Sequence, residues 1–318
     1  MIASCYRHPD RETGIHCTRC GRSICADCMV PAPVGHHCPT CVQEAQPSTR
    51  RVQNVRWNRG QGQRAGVVVK GLIALSVVAF FLQESDPNIT FRFANLPLAV
   101  STGEYYRLTT ATFLHANLTH LLLNMFGLWI IGSQLEPVLG RVRFLALYLV
   151  AGIGGSVAYY VLGAPVVFAL GASTAVFGLF GAAFVIARSR GGDTRTILML
   201  IGINLLFGFV VPGIDNWGHL GGLVTGAMVA AVYELSERWP SPSRIAVQVG
   251  GVVLILAAFV FLVDGNRPNT QARAGGGGSR EGRVAVGRAG VGVPLWEVSR
   301  LATPPVCREL CRQTAPKA

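Results

Sequence analysis

Residues 144–187 read FLALYLVAGIGGSVAYYVLGAPVVFALGASTAVFGLFGAAFVIA, with no charged side chain among them. A helix crosses the ~30 Å hydrocarbon core of a bilayer in ~20 residues, so this stretch is long enough for two spans. Gly163-Ala164-Pro165 breaks it in two, because proline removes a helical donor and glycine weakens the turn before it.

Outward from this stretch, similar apolar runs recur. Candidate spans lie at about 66–82, 116–135, 144–162, 170–187, 196–211, 216–234 and 246–263, which predicts an all-α polytopic membrane protein. Composition agrees: half of the 318 residues are hydrophobic, 14% are charged, and the mean hydropathy is +0.41. That is more apolar surface than a single water-soluble core needs.

The net charge of +12 is carried almost wholly by arginine, a composition that elsewhere suggests nucleic acid. Here the arginines follow the spans instead. Arg50, Arg51, Arg56, Arg59 and Arg64 precede the first, Arg141 and Arg143 follow the second, Arg188, Arg190 and Arg195 follow the fourth, and Arg238 and Arg244 follow the sixth. Alternate loops are nearly free of them. Cytoplasmic flanks retain positive charge, so the expectation is a cell-membrane protein with a cytoplasmic amino terminus, the bilayer as its surroundings and no nucleic-acid partner. Residues 46–65 read as a linker and 264–318 as a disordered Gly/Arg/Pro-rich tail, whose arginines fall on the unexpected side of a seventh span.

Seven of the nine cysteines precede residue 42 and come in pairs with two residues between ligands: Cys5/His8, Cys17/Cys20, Cys25/Cys28 and Cys38/Cys41. This spacing lets both side chains of a pair reach one tetrahedral Zn²⁺, and eight ligands fill two structural sites. Residues 1–45 have almost no other material for a core. His16, His36 and His37 are alternative ligands.

Polar side chains inside apolar spans are costly and mark candidate sites. The second span opens with His115-Ala116-Asn117-Leu118-Thr119-His120 and continues to Asn124; the fourth opens with Gly171-Ala172-Ser173-Thr174; the sixth opens with Gly218-His219-Leu220-Gly221-Gly222. All three run from outside to inside by the charge argument, so these residues share one depth. Ser173 and His219 then make a nucleophile and its base, while His120 and Asn124, four apart on one helix face, can stabilise an oxyanion. Apart from Asp215 at the start of the sixth span, no carboxylate lies in the outer half of these spans, which predicts a dyad steadied by Phe177, one turn after Ser173. Gly218, Gly222 and Gly226 form a small-residue stripe suited to close helix packing. Each residue alone has an ordinary explanation: a serine at a helix start is usually an N-cap, and a histidine or a His/Asn pair can simply pack or bridge helices. Their joint occurrence is what points to chemistry.

At these residues the sequence resembles the rhomboid family of intramembrane serine proteases. Over about residues 66–235 the resemblance rests on Tyr106-Arg107, on His115 with His120 and Asn124, on Gly132-x-x-Leu135-Glu136-x-x-x-Gly140, on Gly171-Ala172-Ser173, and on His219-Leu220-Gly221-Gly222. It implies a six-helix core, here with a seventh helix at 246–263, and a membrane-embedded first loop at about 83–115. It also implies a Ser173 nucleophile, a His219 base, oxyanion partners at His120 and Asn124, no catalytic cofactor, and single-span transmembrane proteins as substrates. The amino-terminal module resembles a B-box-type finger, which implies Cys5, His8, Cys25 and Cys28 on one Zn²⁺ and Cys17, Cys20, Cys38 and Cys41 on the other. Closed four-ligand sites are structural, so the expectation is a docking or regulatory module with a cytosolic protein partner. One departure is Thr174, where the family usually has glycine: its Cβ and hydroxyl either crowd the oxyanion site or add a donor. Two other readings are a noncatalytic rhomboid-like protein that binds transmembrane helices and recruits a partner through its zinc module, and a small-solute transporter, which the lack of a buried acid and of a repeated half disfavours.

Overall fold

The computed structural model describes residues 3–45, 66–86, 88–211, 213–276, 283–286 and 291–294. The chain divides into two units, Met1–Arg56 and Trp57–Ala318. The expected linker at 46–65 lies outside the described residues, as do Cys307 and Cys311.

The smaller unit has two antiparallel two-residue ladders, β1 (Ala3–Ser4) with β2 (Glu12–Thr13) and β3 (Val30–Pro31) with β4 (His36–His37), followed by α1 (Pro39–Ala45). Its buried centre is Ile24 with six cysteines, far too little apolar surface to hold a fold by itself.

The larger unit is helical. After α2 (Val67–Ser85), the first loop forms three short helices, α3 (Asn88–Phe93), α4 (Pro97–Ser101) and α5 (Arg107–Thr110). Six long helices follow: α6 (Leu118–Leu139), α7 (Arg141–Leu162), α8 (Ser173–Ser189), α9 (Arg195–Val210), α10 (Asn216–Ser236) and α11 (Ser241–Gly276). Thus a helix stands on each of the seven apolar runs. Four (α2, α6, α7 and residues Ser241–Gln271 of α11) are long and apolar enough to cross a membrane, and α8 and α9 are shorter apolar helices. The bundle turns large apolar side chains outward, among them Phe81, Leu122, Phe209 and Phe261, as a lipid-facing surface requires.

Glu136 ties the first helix to the second. From near the end of α6, its buried carboxylate accepts the backbone N–H groups of Val68 and Val69 at 3.1 and 3.0 Å, satisfying two orphan donors at the start of α2. One turn earlier, a Cβ on Gly132 would fall 2.8 Å from Val69 Cγ2, so the glycine permits the approach that lets Glu136 reach. Gly140, at φ +80°, then ends α6 and starts α7 in one residue.

The first loop is organised around buried Arg107, which donates to Glu104 at 2.6 Å and to the carbonyls of Phe91 and Ala94 at 2.7 and 2.9 Å. It is joined to the strand-like approach to α8: Asn95 and Ala169 exchange backbone hydrogen bonds, and Gly171 N–H donates to Ala111 O at 2.9 Å.

Helices α8 and α10 meet backbone to backbone. A Cβ on Gly226 would lie 2.0 Å from Gly178 O, and one on Gly181 would lie 2.2 Å from Leu223 O. Small residues are what allow this seam in a setting where apolar burial supplies no net attraction between helices.

One boundary differs from the sequence expectation. Residues 264–276, read as the start of a disordered tail, continue α11, and 283–286 pair with 291–294 as an antiparallel hairpin, β5 with β6; the remainder of the tail lies outside the described residues. Tertiary contacts account for the extra helix. Tyr105 donates to Asp264 Oδ1 at 3.1 Å, Arg267 pairs with Asp264 at 2.8 Å and lies 5.1 Å over the Tyr105 ring, and Tyr160 donates to Val263 O at 3.2 Å. Composition alone does not register these partners, and Pro268 within the stretch argues against a helix when taken locally.

Candidate functional site

Ser173 is the first residue of α8, and His219 lies in the first turn of α10. Asp215 caps α10 by accepting the Gly218 N–H at 2.7 Å, which fixes where the helix begins and so which way His219 faces. The glycine seam then brings the two helix starts together. His219 Nε2 and Ser173 Oγ lie 2.8 Å apart, a hydrogen bond between residues 46 positions apart in the chain. His219 is buried, and its Nδ1 has no hydrogen-bond partner among the described residues. The ring of Phe177 is stacked on the imidazole, with centroids 4.3 Å apart and planes 12° from parallel.

His120 approaches from α6. Asn117 caps that helix by accepting the His120 N–H at 2.9 Å. A Cβ on Gly171 would fall 2.9 Å from His120 Nε2 and 3.6 Å from Ser173 Oγ, so His120 and the serine flank the same small space. With φ at +134°, Gly171 also adopts a conformation that a side chain would strain. Asn124 is buried one turn on, and its amide donates to His120 O at 2.9 Å. One amide hydrogen is therefore engaged within α6, while the sequence reading gave Asn124, with His120, to an oxyanion.

His115, which sequence reasoning placed in a motif but gave no role, is buried beside these groups. Its Nε2 faces the Ala172 N–H at 3.4 Å, and its ring meets His120 edge to face at 5.3 Å. Gln83 of α2 in turn accepts the His115 N–H at 3.0 Å. A chain of contacts thus runs from α2 through the first loop to the residue before Ser173. Gln83 gave no signal in the sequence, being one polar residue near a helix end.

The amino-terminal unit gathers two further sets of groups. The ligand atoms of Cys5, His8, Cys25 and Cys28, and those of Cys17, Cys20, Cys38 and Cys41, each lie within 4.8 Å of one another. In the first set, His8 Nδ1 stands 3.9, 3.3 and 3.4 Å from the sulfurs of Cys5, Cys25 and Cys28; in the second, Cys20 and Cys38 are 3.7 Å apart. A tetrahedral zinc with bonds of ~2.3 Å to sulfur and ~2.0 Å to nitrogen has S–S edges of about 3.8 Å and S–N edges of about 3.5 Å, so both sets fit Zn²⁺. Their protonation fits too. Burial raises the Cys5 and Cys17 thiols, but backbone N–H donors outweigh it and bring both down to about 6. Burial and neighbouring thiolates push Cys28 up to about 11 and Cys41 to about 12. Such crowding of negative charge is what a dication relieves. His16 instead meets Ser23 Oγ at 3.3 Å, and His36 and His37 pair with β3, so these three stand outside both sets.

The fold and site define a class: polytopic helical membrane proteins with a serine and a histidine from two helices joined within the bundle. Comparison with known proteins makes this specific. Residues 102–235 match the rhomboid domain family model. Over 215 residues the chain is 39% identical to rhomboid protease GluP of Bacillus subtilis (strain 168), covering 64% of this chain and 41% of GluP. It is 35% identical over 172 residues to the rhomboid protein YdcA of the same organism (51% of this chain, 86% of YdcA), and 26% identical over 201 residues to rhomboid protease AarA of Providencia stuartii (52% and 71%). The chain spans less than half the length of GluP and most of YdcA. It belongs to the rhomboid family.

Proposed function

We propose that this protein is a serine endopeptidase that works within the membrane, hydrolysing peptide bonds of single-span transmembrane proteins. The observation that carries the reading is the 2.8 Å contact between Ser173 Oγ and His219 Nε2. Neutral His219 accepts the serine proton as Oγ attacks the scissile carbonyl carbon, giving a tetrahedral oxyanion. His120, Asn124 and the Ser173 N–H, an orphan donor at the start of α8, stabilise that charge where water is scarce. Collapse breaks the C–N bond, and His219 returns the proton to the leaving amine. Water then attacks the acyl-enzyme with His219 again as base, releasing the new carboxylate and restoring Ser173. No cofactor enters these steps. Peptide bonds in a helix are shielded by their own hydrogen bonds, so substrates with helix-weakening residues near the outer end of their span are favoured.

Residues 66–235 form the protease core in this reading, with residues 246–263 as a seventh span. Residues 1–45 carry two structural Zn²⁺ ions. A site closed by four protein ligands leaves no position for substrate, so this module serves to dock a cytosolic protein. The arginine pattern supports placing it on the cytoplasmic side of the cell membrane.

The test is cleavage of a model single-span substrate by purified protein in detergent, comparing wild type with Ser173→Ala and His219→Ala. Activity in the wild type and its loss in both variants is expected. Equal cleavage by all three, or none by the wild type where another rhomboid protease cuts, overturns the reading and leaves the helix-binding alternative.

A further inference from the structure

Thr174 follows Ser173 directly, and its surroundings give it a defined place. A Cβ built on Gly155 of α7 would lie 2.6 Å from Thr174 Cβ and 3.0 Å from its Cγ2; one on Gly218 of α10 would lie 2.9 Å from Cγ2; one on Gly222 would lie 2.0 Å from Thr174 O. The side chain therefore sits in a cradle of glycines from α7 and α10, whereas Gly171, close to Ser173 Oγ, faces His120. Thr174 Oγ1 is buried and has no hydrogen-bond partner among the described residues. The methyl is what the cradle fits, and the hydroxyl contributes no bond.

The contact also has a position in the chain. Thr174 is the residue after Ser173, and Gly218 is the residue before His219, so the Thr174 methyl touches α10 one residue from each partner of the 2.8 Å hydrogen bond. We propose that Thr174 is a positioning residue, a spacer whose methyl sets the distance between the starts of α8 and α10 and thereby aligns Ser173 with His219. The alignment is structural; its effect on rate rests on the protease reading above. Removing the methyl opens a gap lined by glycines, which have no side chains to fill it, so the helices must shift or the void must persist.

Two substitutions separate methyl from hydroxyl. Thr174→Ser keeps the hydroxyl and loses the methyl; Thr174→Val keeps the shape and loses the unpartnered hydroxyl. In single-turnover cleavage, Thr174→Ser is expected to lower kcat by about tenfold with KM within about twofold, as a small misplacement of reacting groups does. Thr174→Val is expected to restore kcat to within about twofold of wild type. An independent readout is the ¹⁵N NMR shift of His219 Nε2, assigned by its loss in His219→Ala. Thr174→Ser should move this shift toward its value in Ser173→Ala, and Thr174→Val should leave it in place. An unmoved shift in the serine variant, or equal movement in both, overturns the spacer. A shift that follows the spacer in a protein that cuts nothing overturns the protease reading instead. Thermal unfolding confirms that each variant is folded at the temperature of measurement.

Discussion

Phe177 lies flat against the imidazole of His219, 4.3 Å between ring centres, while Nδ1 of that histidine has no hydrogen-bond partner among the described residues. Ring packing thus holds the imidazole at a fixed tilt, which in the proposed protease supplies one of the tasks that a carboxylate performs in a triad. Phe177→Leu keeps the apolar volume but loses the stacked face. The expected outcome is a two- to tenfold fall in kcat, from about 0.5–1.5 kcal/mol of ring interaction, with Phe177→Tyr close to wild type. Single-turnover cleavage measures it.

Glu136 holds the start of α2 through two backbone donors and stands apart from Ser173 in role. Glu136→Gln retains one acceptor oxygen and loses the charge, so a loss of about 1–3 kcal/mol in stability is expected, seen as a lower Tm in detergent. Activity per folded molecule should stay level. A fall in activity without a fall in Tm would contradict the capping role.

Gly226 abuts the carbonyl of Gly178 with no room for a methyl group. Gly226→Ala must push α10 off α8, with a cost of about 1–3 kcal/mol from overpacking. Because the seam carries Ser173 and His219, activity should fall together with Tm, unlike the Glu136 case. Replacing exposed Gly250, around which a Cβ meets nothing within 4 Å, should change neither.

The amino-terminal module should contain two zinc ions per chain by elemental analysis. Cys17→Ser with Cys20→Ser should halve that content and leave the Cys5 set filled. Protons compete with metal for thiolates, so zinc should be retained near neutral pH and released as the pH falls. Chelation should unfold the module, observed as loss of protection from proteolysis within residues 1–45.

Much of this molecule was legible in the sequence. The seven apolar runs could be read because each is a local property of ~20 residues, and Ser173, His219, His120 and Asn124 stood out because polar groups are rare in such runs. The pairing of cysteines into two sets followed from spacing by resemblance to a known finger. What could not be read depends on contacts between distant segments. Glu136 belongs to a motif legible in the sequence, but its capping of α2 is visible only once that helix is in place, and the cradle around Thr174 needs glycines from two other helices. Residues 264–276 look like tail by composition, and the bonds where this stretch begins, from Tyr105 to Asp264 and from Tyr160 to Val263, come from distant segments.

Those two tyrosines tie α11 to the first loop and to α7. Tyr105 belongs to the same loop that hydrogen-bonds Gly171 through Ala111 and meets Ala172 through His115. A continuous set of contacts thus leads from Asp264 of α11 into this loop and on to the backbone immediately before Ser173. The last helix is therefore linked to the start of α8 through the first loop.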